Sequence, residues 1–184
     1  MRKILFILLG VFYVMSSQAQ KLFSDNTNEQ FRAIKCTEIN LTNTNEELGL
    51  SVSLSYMHLF NYDLKTWSLE FITTSKLPKK FSKDSRLLIK LQDNSLIELK
   101  LFVESNSYEG FEVGKIARNI LLYNIKEDDV KALFKGIKKL RFETTIKNID
   151  IELDSEISGD AIRNSYNIIQ ETINTKPKGF ADDF

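Results

Sequence analysis

The sequence predicts an α+β domain, mainly antiparallel β-sheet, built as a twisted sheet or an open sandwich with two packed helices. Three observations lead there. In LGLSVSLSYMHLF, Leu48, Leu50, Val52, Leu54, Tyr56 and Phe60 share one parity, with Gly49, Ser51, Ser53 and Ser55 on the other. That alternation marks a strand with one buried face. Further on, Val130, Leu133, Phe134 and Ile137 recur at i, i+3, i+4 and i+7, and Leu140 and Phe142 then alternate with Lys139, Arg141 and Glu143. The chain there changes period from helix to strand. Near the end, Ile162, Tyr166, Ile169 and Ile173 mark the apolar stripe of a second helix, from about Ser158 to Asn174.

The elements follow in chain order. Residues 1–19 read as a signal peptide: Arg2 and Lys3 precede an uncharged apolar run from Ile4 to Val14, and Ser17-Gln18-Ala19 has the small residues a signal peptidase requires. The run is shorter than the ~20 residues of a membrane-spanning helix, which disfavours an uncleaved anchor. Residues 20–176 form the single α+β domain, of seven or eight strands, and 177–184 a flexible tail behind Pro177. The polar opening QKLFSDNTNEQ reads as loose chain, QFRAIKCTEINL as a first strand, and TNTNEE as a loop.

TWSLEFITT follows as a strand with Trp67, Leu69 and Phe71 on one face, joined to the preceding strand through the short NYDLK connection. SKLPKKFSKDS reads as an exposed link. RLLIKLQDNSLIELKLFVE reads as a hairpin about Asp93-Asn94, with Leu91 opposite Leu96 and Ile89 opposite Glu98, or the neighbouring register. SNSYEGFEVG is loop-like, and RNILLYNI is a further strand.

Glu127, Asp128 and Asp129 open the first helix, where negative charge complements the helix dipole, and Gly136 ends it. A final hairpin sets Phe142 against Ile151, Leu140 against Leu153, Arg141 against Glu152 and Lys139 against Asp154. Ser158 is the expected cap of the last helix.

The passages LLIKLQDNSLIELK and YNIKEDDVKALFKGIKKLRFET resemble small exported domains of unknown role in Bacteroides-type bacteria. In those, a strand pair precedes a tyrosine-bearing strand, a short acidic helix and G-[IV]-K-K-[IL]-R. The resemblance covers Arg86 to Thr144. It implies this order of elements and an envelope location, and it brings no activity, cofactor or catalytic residue. Lys126 stands where the pattern expects a Ser or Thr cap.

Chemistry-bearing residues are few. Without its first 19 residues the chain has 23 basic and 25 acidic residues, about −2, a balance that disfavours nucleic acid as a partner. Cys36 is the only cysteine, so no intramolecular disulfide forms, and its strand context suggests a small buried apolar residue. His58 is the only histidine, which excludes two-imidazole metal sites; no G-x-S-x-G elbow accompanies it. GFEVGK has three residues between its glycines where a phosphate loop has four, and Ile116 where Ser or Thr would bind magnesium. DSEISGD matches a calcium loop at Asp154, Glu156, Ser158 and Gly159, but Ser165 occupies the twelfth position in place of a bidentate carboxylate.

Asp150, Glu152 and Asp154 read as a charge ladder facing basic residues. Tyr56, Phe60, Tyr62 and Trp67 surround one loop and are the candidate ligand-binding residues, since aromatic rings with polar tips suit a sugar or peptide. No catalytic, cofactor or metal residue is assigned. The sequence thus points to an exported, non-enzymatic binding module for a protein or a glycan, with no membrane span after signal cleavage. A carboxylate-based hydrolase acting on glycans and a carrier of an apolar ligand are the alternatives.

Overall fold

A computed structural model describes residues 20–42, 48–75, 81, 85–109, 116–144 and 147–175. The expected signal peptide and tail, the GFEVGK segment and most of the link after Ser75 lie outside these residues.

Ten strands form one antiparallel sheet, against the seven or eight expected: β1 (Leu22–Thr27), β2 (Phe31–Cys36), β3 (Ile39–Asn40), β4 (Leu48–Leu59), β5 (Leu64–Ser75), β6 (Arg86–Leu91), β7 (Leu96–Glu109), β8 (Ile116–Ile125), β9 (Ile137–Phe142) and β10 (Ile149–Glu152). Helix α1 (Glu127–Ala132) lies between β8 and β9, and α2 (Ser155–Asn174) follows β10. The strand order is β1-β2-β4-β5-β8-β7-β6-β9-β10, with β3 paired to β4. Because β5 pairs with β4 along its whole length, β3 must share the β4 edge that β2 occupies.

The sheet curls. Phe71 on β5 and Phe142 on β9 stand four strand positions apart, about 19 Å along a flat sheet. Their rings nevertheless meet edge to face with centroids 5.5 Å apart. Phe81 joins Phe142 at 6.4 Å and Tyr123 joins Phe71 at 6.0 Å, so the concave face is filled by aromatic rings. Leu54, Leu69, Leu87, Ile89, Leu121 and Leu140 complete this core. Helix α2 lies across the open side. Near its start Ser158 meets Ile137 of β9, and near its end the Thr172 carbonyl meets Arg32 of β2.

Several expectations need correction. The polar opening is strand β1, with Asp25 ion-paired to Arg32 at 2.8 Å and the backbone paired to β2. The first long strand breaks after Cys36 into β2 and β3. Phe60 belongs to a 3₁₀ turn, Phe60–Tyr62, and is exposed, so the β4 stripe ends before it. Residues 105–109, read as loop, extend β7.

The β6–β7 hairpin takes the neighbouring register, with Ile89 opposite Ile97 and Leu87 opposite Leu99. Asn94 (φ 67°) supplies the extra left-handed residue of a three-residue loop, which shifts the pairing by one and places apolar side chains opposite each other. In the β9–β10 hairpin, Phe142 faces Ile149, Leu140 faces Ile151, Arg141 faces Asp150 and Lys139 faces Glu152. The register moves by two residues, so each side chain keeps its expected face but changes partner; Thr144 bonding to Lys147 tightens the turn.

Helix α1 ends in a 3₁₀ turn at Leu133–Lys135, and Gly136 (φ 90°) swings the chain so that Ile137 begins β9. Ser158 is not a cap, for α2 starts three residues earlier, at Ser155. Its buried hydroxyl accepts the Ile137 N–H at 2.9 Å, stitching helix to sheet. The two helical stripes do face the core: Val130, Leu133, Ile162 and Ile169 are buried. Neither described helix is long and apolar enough to cross a membrane.

Candidate functional site

A groove of about 740 Å³ opens at the turn end of the β4–β5 hairpin, between that hairpin, the start of α1 and the last turns of α2. Strand register builds its floor. Tyr56 pairs directly with Trp67, and Trp67 with Ile125, so the three occupy one row on the concave face. Ile173 of α2 adds a further apolar wall, while Lys65, Thr66, Asn124, Lys126, Glu127 and Gln170 supply polar groups.

The aromatic rings are locked together. Tyr56 meets Trp67 edge-on at 5.2 Å, Trp67 stacks on Tyr166 at 5.1 Å and 23°, and Phe134 meets Tyr166 at 5.4 Å. Offset stacks and edge contacts suit the ring quadrupoles. The Tyr166 hydroxyl donates to Glu127 at 2.6 Å, and Lys131 donates to the same carboxylate oxygen at 2.9 Å. These bonds, the Tyr166 one foremost, hold the Glu127 carboxyl below its usual range. Burial, followed by the Glu127 bond, pushes the Tyr166 phenol up. Burial likewise raises Tyr56, with smaller contributions from the charges of Glu127 and Asp63. Glu127 is therefore ionised and engaged at neutral pH, an acceptor rather than an acid.

The four aromatic residues singled out in the sequence divide into two pairs. Tyr56 and Trp67, each 5 % exposed, form the groove floor. Phe60 and Tyr62, 40 % and 81 % exposed, project from the 3₁₀ turn outside it, with Phe60 edge-on to His58 at 5.1 Å. Glu127, Tyr166, Asn124, Gln170 and the lysines went unnoticed as site residues. Tyr166 and Glu127 are 39 residues apart, and nothing in the local pattern of either announces the other.

The other candidates occupy structural positions. His58 Nε2 lies 2.9 Å from Asp63 Oδ1 at the hairpin end. Cys36 is fully buried; burial pushes its thiol up to about 11, and its sulfur donates to the Ser165 carbonyl. A thiol so placed is a poor nucleophile. Of the expected charge ladder, Asp150 is the member shown ion-paired, with Arg141 at 2.6 Å and with Lys139 at 3.1 Å. Among the described residues no cluster of three or more His, Cys, Asp or Glu side chains is placed to hold a metal ion.

Comparison of the chain with family models, with curated proteins and with solved structures finds no match.

Proposed function

We propose that this protein is an exported, non-enzymatic binding module of the cell envelope, and that its groove takes a glycan. The observation that carries this reading is the make-up of the groove. An apolar floor of Tyr56, Trp67, Ile125 and Ile173 is edged by Gln170, whose side-chain amide both donates and accepts hydrogen bonds. Sugars present the same combination, apolar C–H faces edged by hydroxyls. The groove also falls within the range of about 300–1,000 Å³ usual for small-ligand sites, whereas a protein partner would call for a broader surface.

Two features favour binding over hydrolysis. Among the described residues Glu127 is the single carboxylate lining the groove, where glycoside hydrolysis generally uses two. It is also held ionised by Tyr166 and Lys131, which removes it as a proton donor at neutral pH. An apolar carrier would call for a dry interior cavity, while Phe71, Phe142 and Tyr123 fill the concave face.

A glycan array probed with the purified protein tests the reading. Retention on at least one glycan class, lost in a Gln170→Ala variant whose melting temperature is unchanged, is the expected result. Failure to retain any glycan, with a protein recovered instead by pull-down from envelope extract, overturns it. Export is tested separately, by recovery of the chain from the periplasmic or culture fraction with its first 19 residues removed.

A further inference from the structure

The cations around the groove are unequally matched. Lys131 is held by Glu127 at 2.9 Å. Arg32 is occupied by Asp25 and by the carbonyl oxygens of Thr172, Ile173 and Thr175. Lys65 and Lys126, which line the groove itself, are different. Lys65 reaches only Asp63, at 4.0 Å, and Asp63 already bonds His58 at 2.9 Å. Lys126 is exposed and makes no ion pair with any described residue. It sits in extended conformation just before α1, with no bond from its side chain to the helix start.

Among the described residues the one carboxylate in the lining, Glu127, is paired with Lys131, so the groove presents two under-compensated ammonium groups beside the Gln170 amide.

We infer that the groove selects glycans carrying an anionic substituent, with Lys65 and Lys126 as its counter-charges and Gln170 meeting the neutral hydroxyls. This deepens the binding reading above and rests on it. Lysine is a flexible point charge without the planar fork of arginine, so it suits a carboxylate, sulfate or phosphate alike. The shared chemistry is a sugar ring with one negative group. The experiment has to separate the possible sources of that charge.

Titration of the purified protein with an oligogalacturonate, a sulfated oligosaccharide and an uncharged gluco-oligosaccharide of equal length makes the test. At least one charged ligand should bind tighter than the uncharged one, and its advantage should shrink when salt is raised, because rim charges are screened over about 8 Å at physiological ionic strength. Lys126→Ala and Lys65→Ala should each weaken the charged ligand about three- to tenfold, and by more than they weaken the uncharged one. Exposed lysines can be removed without unfolding the domain, and an unchanged melting temperature verifies that. Equal binding of all three ligands, or tighter binding of the uncharged one, overturns the selectivity while leaving the glycan reading in place. No binding of any of them overturns both.

Discussion

The Arg32 guanidinium donates to the Thr172 carbonyl oxygen at 2.7 Å, and with that bond β2 grips the last turn of α2. It also reaches the carbonyls of Ile173 and Thr175, and two of its nitrogens bond Asp25 on β1. The last carbonyls of a helix have no partner within it and carry partial negative charge. A single cation, 7 % exposed, thus joins the edge strand, its neighbour and the helix end. Arg32→Ala should destabilise the domain by about 2–4 kcal/mol, since it strands buried acceptors and Asp25 together. Arg32→Lys should recover little, because an ammonium cannot reproduce the planar fork. Urea unfolding of both variants is the measurement; a midpoint unchanged in the alanine variant refutes the role.

Leu133 has no exposure and lies where α1 runs into its closing 3₁₀ turn, facing the core. Leu133→Asp should abolish cooperative folding, because it places an unpaired charge in the apolar interior. Leu133→Ala leaves a cavity only and should cost about 2–5 kcal/mol. Circular dichroism melts distinguish the two outcomes, and a parental melting temperature in the aspartate variant contradicts the packing.

The apolar period of β4 is legible locally, although Ser51 and Ser53 on its other face are buried too, against the one buried face that the alternation predicts. Leu50, Val52, Leu54 and Tyr56 alternate within a single strand, and all four are buried. Such periods depend on the nearest neighbours alone. Strand β1 was illegible because LFSDNT has little apolar content; it is a strand because β2 offers an unpaired edge and Arg32 a counter-charge for Asp25. The β6–β7 register stayed open between two neighbours because one left-handed residue, Asn94, decides the loop length, while the β9–β10 register lay two residues from the expected one. In the groove, Tyr56 and Trp67 flank the same turn and were found together, whereas Glu127 met Tyr166 only through the placing of α2. Glu127 had an adequate local explanation in the helix dipole, which concealed its second role.

Four carboxylates among the described residues are more acidic in the fold than free: Glu127, Asp150, Asp93 and Glu143, the last lowered by its bond from Arg86. The Tyr166 hydroxyl and then Lys131 lower the Glu127 carboxyl from its usual 4.5. Bonds from Arg141, and next Lys139, lower Asp150; Lys135 and Ser95 lower Asp93. A carboxyl that is more acidic in the folded chain than in the unfolded one binds fewer protons when folded. Its stabilisation is complete above the unfolded value and disappears as pH falls through the folded value. Melting temperature should therefore be insensitive to these groups from neutrality down to about pH 5 and decline below about pH 4. Glu127, Asp93 and Asp150 are substantially exposed, so each contributes modestly. The combined Glu127→Gln, Asp150→Asn, Asp93→Asn variant should show a shallower acid decline than the parent. An equally steep decline assigns the acid sensitivity elsewhere.

The Tyr123 hydroxyl is buried with no hydrogen-bond partner among the described residues, and burial foremost, then the Glu104 charge, raises its pKa. Its ring is useful in the core, meeting Phe71 edge to face at 6.0 Å. The bulge between Leu101 and Val103 brings Glu104 onto the same face as Leu121, and one of its carboxylate oxygens is also buried without a partner. Tyr123→Phe keeps the ring contact and removes an unsatisfied polar group. It should raise stability by about 1 kcal/mol, a gain of several degrees in melting temperature. A loss of stability would instead reveal a bound water bridging Tyr123 and Glu104.

Gly159 tests how closely α2 is seated. A Cβ at this position would lie 2.9 Å from both the Gly136 nitrogen and the Phe134 carbonyl oxygen. Both are backbone atoms of the turn leading into β9, and that turn is already fixed by the positive φ of Gly136 and by the Ser158 bond to Ile137. In an ordinary helix interior, Gly→Ala stabilises by about 1 kcal/mol through propensity alone. Here the methyl group must push helix and turn apart, and overpacking typically costs about 1–3 kcal/mol. The second effect is larger, so Gly159→Ala should lower the unfolding midpoint. Gly159→Val, with a bulkier and stiffer side chain, should lower it further. A midpoint raised by the alanine substitution would mean that α2 stands off the β9 turn, and the Ser158–Ile137 stitch would then be the next contact to doubt.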